Sequence, residues 1–300
     1  QNLDKIRILM GDEVSRRTQK AFIEAIDNAK GILDTSLEDE KDENDVVFSY
    51  GRNIRYHSPD YIISMVKGLK QRYNIDFVNF LDENLMTMDA SSGRTWLKEI
   101  CEKWIAAGLQ PSSRRPDGVE APPGEEPGVY WSGTSHASLH TPEILKLMYE
   151  AGCTHLVYGL ESFDPIVLKN LGKGTTVKNN VDSVGECLKS GIIPIPNIII
   201  GFPEETWSDI FKTLLYGLKM SFHGVDEAPL FIFSPYPGTE IFKTLSQENK
   251  IILDDDYFLG LSSLNSSYLS TKVMNHNPRI NTKLLGIVRT SFILANYFVG

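Results

Sequence analysis

The chain has 300 residues, a hydrophobic fraction of 41%, a net charge of −9 and three cysteines. That apolar share can build a sizeable core, whereas the acidic balance argues against a general phosphate-binding surface, which needs clustered Lys and Arg. No apolar run approaches the ~20 residues of a membrane span, no secretory signal opens the chain, and three widely spaced cysteines make no disulfide framework, so a reducing cytoplasm is the expected location.

Residues 6–32 predict a helix, with Ala21, Phe22, Ala25, Ile26 and Ala29 near helical spacing. Residues 38–45 are an acidic run of the kind that stays solvated. Ser58-Pro59-Asp60 is a helix start: a capping hydroxyl, proline at the first position, then an acid. The helix it opens carries Ile62, Ile63, Met65, Val66 and Leu69. Residues 76–81 predict a strand, followed at once by Asp82-Glu83-Asn84. Residues 91–107 read as one helix, with Trp96, Leu97, Ile100 and Trp104 on one side and Gly108 as its stop. Residues 110–128 are rich in Pro, Gly and charge and predict a long surface loop. A short strand follows over 129–132, and Thr141-Pro142-Glu143 opens a helix that ends near Gly152.

From there the alternation is regular. Strand 154–160 precedes helices 164–171 and 177–190, strand 195–200 precedes helix 206–220, and strand 228–233 precedes helix 239–246. An apolar helical pattern runs over 284–299. Five strands alternating with helices imply right-handed β-α-β units and a parallel sheet. A glycine-rich dinucleotide fingerprint is missing after the first strand, which disfavours a doubly wound nucleotide fold. The expected class is therefore α/β, a partial (β/α)6 TIM-like barrel with a C-terminal helical segment. Residues 1–50 read as an N-terminal helical and acidic insertion, 51–246 as the barrel, and 247–300 as a helical extension.

Barrels of this kind gather reactive groups at the C-terminal strand ends. The candidates are Asp82-Glu83-Asn84, Ser132 with Thr134, Glu161-Ser162, Gly201 with Glu204, and Ser234. Carboxylates, hydroxyls and exposed backbone on one rim suit the amine, carboxylate and ribose hydroxyls of a polar small molecule. Each residue taken alone also has a structural role open to it: Glu161 and Ser162 as caps of the next helix, Glu204 and Glu205 as acids at a helix start. His136 and His140 lie four apart but before the helix begins, so no helical metal pair is expected.

Several segments resemble the barrel of radical S-adenosylmethionine (radical SAM) enzymes, in particular the branch that often carries an upstream cobalamin-binding domain. They are Gly-Leu-Glu-Ser (159–162), the run from Asn197 to Thr206, and Ser234-Pro-Tyr-Pro-Gly-Thr239. Arg55-Tyr-His-Ser-Pro59, Phe80-Leu-Asp-Glu-Asn84, the run from Pro142 to Cys153 and Leu168-Lys-Asn-Leu-Gly-Lys-Gly-Thr-Thr176 match as well, so the resemblance covers about residues 50–245. It implies SAM as cofactor, with Asp82, Glu83 and Asn84 in the segment that holds the methionine amino group. It places Glu161 and Ser162 near the ribose and methionine moiety. Ile199, Gly201 and Glu204 match three of four positions in the family's fifth-strand pattern, with Asn197 where its first Gly would be; that segment packs against adenine. Ser234 completes the cofactor-binding set at the last strand end.

The family's defining CxxxCxxC loop, whose thiolates hold a 4Fe–4S cluster, is missing. Cys101, Cys153 and Cys187 lie on a helix, at a strand entry and on another helix, and read as small buried hydrophobes, so no metal ligand is assigned. The cluster ligands are expected upstream of Gln1; the competing explanation is a lineage that lost the cluster. The third strand also departs, since Ser132-Gly-Thr-Ser-His136 has no basic residue where relatives often carry one. The resemblance implies a 5′-deoxyadenosyl radical, hydrogen abstraction or methyl transfer on an unknown small-molecule or cofactor-like substrate. It further implies an electron donor such as flavodoxin or ferredoxin and, in a longer protein, cobalamin. The alternatives left open are a cluster-less barrel serving as a binding scaffold, and a metal-independent lyase using Glu161 or Glu83 as base.

Overall fold

The computed structural model describes residues 56–82, 84–115, 128–255, 257–258, 261 and 274–299. The helix expected over 6–32, the acidic run and most of the loop expected over 110–128 lie outside them. The chain divides into two compact units, one of Ile54–Ser234 with Leu264–Gly300, the other of Gln1–Asn53 with Pro235–Ser263.

The first unit alternates helices and strands in the expected order. It contains α1 (Pro59–Tyr73), β1 (Phe77–Asn79), α2 (Leu85–Ser91), α3 (Trp96–Ala106), β2 (Tyr130–Ser135), α4 (Pro142–Glu150) and β3 (Cys153–Glu161). It continues through α5 (Pro165–Asn170), α6 (Val177–Lys189), β4 (Ile193–Ile200), α7 (Trp207–Phe222) and β5 (Leu230–Ile232). In the second unit α8 (Glu240–Gln247) is capped by Thr239, and Phe242 packs on Tyr257 with ring centroids 6.2 Å apart. The last helix, α9 (Thr282–Val299), returns to the first unit.

The five strands form one parallel sheet in the order β1-β2-β3-β4-β5, curled into a half-barrel. Two differences from the expected elements have physical causes. The helix expected from 91 starts only at Trp96, and an unexpected helix, α2, ends at Ser91 before it, because Gly93 and Arg94 between them both take left-handed backbone, φ +76° and +64°. Buried Asp89 secures the break, its Oδ1 accepting from the Leu97 amide at 2.9 Å. Strand β4 starts at Ile193 rather than at 195, although it is central and carries Pro194 and Pro196. Prolines lack the N–H a ladder requires. In a parallel strand alternate residues bond the same neighbour, and Ile198 donates to Pro229 on the β5 side. Pro194 and Pro196 therefore face that side too, below the first residue of β5, where no partner strand awaits a donor.

Side chains alternate across the sheet. Trp131, Leu156, Tyr158, Leu160, Ile198, Ile200, Leu230 and Ile232 are buried and belong to the core beneath the helices. The C-terminal segment is part of that core through Ile280, Leu285 and Phe292. Arg289 Nε donates to Leu230 O at 3.1 Å, and a Cβ on Gly217 of α7 would meet Phe292 Cζ at 2.5 Å, so only glycine lets α9 lie this close. The opposite, concave face carries Asn79 of β1, Ser132 and Thr134 of β2, and the half-buried residues of β4, β5 and, from His155 on, β3, and is where a ligand can reach the sheet.

Candidate ligand site at the strand ends

The end of β3 is built to present a carboxylate. A register shift between Gly159 and Glu161 bends the strand, and Glu161 sits in left-handed backbone at φ +61°. Few non-glycine residues adopt that conformation, and such positions concentrate at ligand sites. Its side chain is 18% exposed and pairs with Lys173. Lys173 Nζ bridges Glu161 Oε1 and the Gly159 carbonyl, the latter at 2.6 Å. Two glycines in left-handed backbone, Gly172 and Gly174, frame the turn that brings the lysine back to the strand it left. A Cβ on Gly159 would fall 2.6 Å from Lys173 Nζ and 2.7 Å from Glu161 Oε1, so the missing side chain is the space the ion pair occupies.

Toward β1 the concave face is polar. Strand register places Asn79, Ser132 and His155 in one row, and Ser132 Oγ donates to Asn79 Oδ1 at 2.8 Å. Toward β5 it is mostly apolar, with Ile195, Ile199 and Phe231 half-buried, Ile199 and Phe231 being register partners, and Asn197 the polar residue between the two isoleucines. His136, at the end of β2, has its imidazolium disfavoured first by burial and then by the nearby Lys173 charge. A face with an acid and an ammonium in the middle, amide and hydroxyl on one side and an apolar wall on the other can hold a polar molecule carrying a flat ring.

The turn after β4 is rigidly held. Gly201 has φ +86°, and Glu205 Oε2 accepts from the amides of Gly201 at 2.6 Å and Phe202 at 2.9 Å. The other oxygen, Oε1, is buried without a hydrogen-bond partner among the described residues. Burial pushes this carboxyl up to about 7 against the opposing pull of the two amides, with Asp209 and Asp164 adding to the rise. The carbonyls of the same turn are satisfied from the C-terminal segment, where Asn277 Nδ2 donates to Phe202 O at 2.6 Å and to Glu205 O at 2.8 Å.

The sequence-predicted residues divide accordingly. Glu161 and Ile199 lie on the concave face, and Gly201 forms the turn beside them. Ser162 is fully buried, its hydroxyl 3.1 Å from Thr213 Oγ1 and accepting from the Asp164 amide. Asn84 caps α2, its Oδ1 accepting from Met86 and Thr87, and Asp82 is exposed. Glu83 lies outside the described residues. Glu204 is exposed and receives Asn170 Nδ2 at 3.2 Å; the acid bonded to Gly201 is its neighbour Glu205. Ser234 is half-buried, donating to Ile232 O at 3.4 Å. Sequence reasoning missed Lys173 and Asn277. The glycines on both sides of Lys173 were the available signal for the first; nothing local marks the second.

All three cysteines are free and buried, and burial raises each thiol above its ordinary value, Cys187 to about 12. Thiols so held are poor metal ligands. Among the described residues no group of three or more His, Cys, Asp or Glu could hold a metal ion, and no helix is long and apolar enough to cross a membrane.

The model of the Radical SAM superfamily matches residues 41–216. An uncharacterized methyltransferase of Pyrococcus horikoshii is 27% identical over 203 residues, covering 68% of this chain and 39% of that protein. The anaerobic magnesium-protoporphyrin IX monomethyl ester cyclase of Cereibacter sphaeroides is 23% identical over 243 residues, covering 79% of this chain and 36% of that one. The chain thus spans well under half the length of these curated relatives. Among solved structures, the radical S-adenosylmethionine methyltransferase TsrM from Kitasatospora setae, with cobalamin and a 4Fe–4S cluster bound, superposes with a TM-score of 0.50 at 16% identity, over 64% of this chain and 34% of that one. That likeness speaks to the fold.

Proposed function

The chain belongs to the radical SAM superfamily, and from that premise we propose that its half-barrel binds S-adenosylmethionine across the C-terminal strand ends and serves SAM-dependent radical chemistry on a small molecule. The observation that carries this reading is Glu161: a half-buried carboxylate in left-handed backbone at the centre of the concave face, with Oε2 making no hydrogen bond within the described residues.

The residues fit SAM. The Glu161 carboxylate suits the ribose hydroxyls, each an O–H donor. The backbone of the clamped turn at Gly201 and the wall of Ile199 and Phe231 suit an adenine face. Asn79 and Ser132 offer polar atoms on the far side. Asp82 and Asn84, with Glu83, are proposed near the methionine end, and Ser234 at the last strand end. Ser162 and Glu204 act through the scaffold in this reading, Ser162 by tying β3 to α7 and Glu204 through Asn170. When bound and reduced through its iron–sulfur partner, SAM supplies a 5′-deoxyadenosyl radical or a methyl group. The protein orients the cofactor and excludes water from the curled sheet.

The iron–sulfur cluster does not fit the described residues. The chain's three cysteines are separate, buried and held protonated, so cluster ligands would have to come from sequence outside these 300 residues. Cobalamin, bound in the Kitasatospora methyltransferase, would likewise sit on sequence beyond this chain. Methyl transfer or ring formation are the reaction classes that the named relatives suggest. A small-molecule substrate, a flavodoxin- or ferredoxin-type reductant and a cytoplasmic location complete the proposal.

The test is anaerobic reconstitution of the full-length protein with iron, sulfide and a reductant, followed by incubation with SAM. Methionine and 5′-deoxyadenosine, or S-adenosylhomocysteine, should accumulate. A protein that takes up iron and sulfide yet neither binds nor consumes SAM would refute the reading.

A further inference from the structure

We propose that Lys173 is a positioning residue for Glu161: its ammonium fixes one carboxylate oxygen so that the other is presented to the ribose hydroxyls of the bound nucleoside. The inference rests on the SAM-binding reading and adds to it the residue that sets ribose recognition.

The geometry points one way. Lys173 reaches back 12 residues to Glu161, and its Nζ is shared between Glu161 Oε1 and Gly159 O. Two acceptors on the same strand end define where the ammonium sits, and so define the orientation of the carboxylate it holds. Exposed lysine–carboxylate pairs contribute little to stability, because holding two long side chains costs entropy and water screens the charge. This pair is more sheltered, with side chains 28% and 18% exposed. Three backbone features are spent on it: left-handed Glu161, the glycine-framed turn at Gly172 and Gly174, and the missing side chain at Gly159. A stabilising surface pair needs none of them. A carboxylate held in one orientation before ligand arrives has less freedom to lose on binding, which is how preorganisation raises affinity. It also discriminates, since a site aimed at a hydroxyl leaves a buried acceptor unpaired when the hydroxyl is missing.

The experiment compares full-length reconstituted wild type with Lys173→Met, Lys173→Arg, Gly159→Ala and Glu161→Gln in equilibrium dialysis against SAM, 5′-deoxyadenosine and 2′,5′-dideoxyadenosine. Wild type should prefer 5′-deoxyadenosine over the dideoxy analogue by about 10-fold or more, the range of one hydrogen bond to a charged group. Lys173→Met should bring that ratio close to unity while binding the dideoxy analogue as wild type does. Gly159→Ala, whose methyl presses on both the ammonium and Glu161 Oε1, should lower the ratio as well, and Lys173→Arg should recover part of it. A ratio unchanged in Lys173→Met but lost in Glu161→Gln would overturn the inference and leave SAM binding intact. So would a Lys173→Met variant that binds SAM more weakly with its nucleoside ratio unchanged, since the ammonium would then serve the methionine moiety. A wild type that binds none of the three ligands would overturn the underlying reading as well.

Discussion

Glu161 and Glu205 stand at the ends of neighbouring strands and are held in opposite ways. Glu161 has a cation beside it and an oxygen left open on the concave face. Glu205 has no cation paired with it among the described residues, lies 1% exposed, and accepts from the two amides of its own turn. Burial therefore dominates at Glu205 and raises its carboxyl to about 7. The sign of the pH effect follows. In the unfolded chain this acid ionises near its ordinary value of 4.5. Between 4.5 and about 7 the folded state holds a proton that the unfolded state has released, so Glu205's contribution to stability falls as pH rises through that window and levels off above it. Glu205→Gln keeps an acceptor for the two amides and removes the titration. Urea unfolding at several pH values should show a flatter stability profile over that window for the variant than for wild type. An unchanged slope would mean that Glu205 is ionised throughout.

At the scale of elements, the turn after β4 is satisfied from far away in sequence. Asn277 supplies the donors for the Phe202 and Glu205 carbonyls, 75 and 72 residues distant. Asn277→Ala would leave the Glu205 carbonyl without its donor, while Phe202 O keeps the Glu205 amide at 3.0 Å; a buried group left unpaired costs about 1–3 kcal/mol. A loss of about 1–3 kcal/mol in urea unfolding, with an unchanged denaturant slope, is the expected result, together with faster amide exchange at Gly201 and Phe202. A loss near zero would show that water replaces the amide. The strand itself was legible: the isoleucine-rich run 195–200 marks β4, and only its start at Ile193 was hidden, because prolines argue against a central strand unless one knows how short β5 is. Helix α2 was hidden for a related reason. Its seven residues carry no helical stripe, and Asn84, read as a ligand group, is its cap. Glu204 was named from its match to the resemblance's fifth-strand pattern; the fold buries its neighbour Glu205 and leaves Glu204 exposed.

Across the molecule, alternation of strands and helices was enough to read a parallel half-barrel, because period and punctuation are local properties of sequence. Of the residues named from the sequence, Glu161 and Ile199 lie on the concave face and Gly201 forms the turn beside them. Lys173 acts across a turn marked only by its flanking glycines, and Asn277 acts between distant segments, where no local pattern marks a partner. The central claim is that the open oxygen of Glu161 receives the ribose of SAM. Its most direct measurement is isothermal titration of SAM into the full-length reconstituted protein and its Glu161→Gln variant at matched folding stability. A neutral amide weakens the hydrogen bonds a carboxylate accepts, so the variant should bind SAM about 10-fold or more weakly. Equal affinity in the two proteins would contradict the placement of SAM at this strand end.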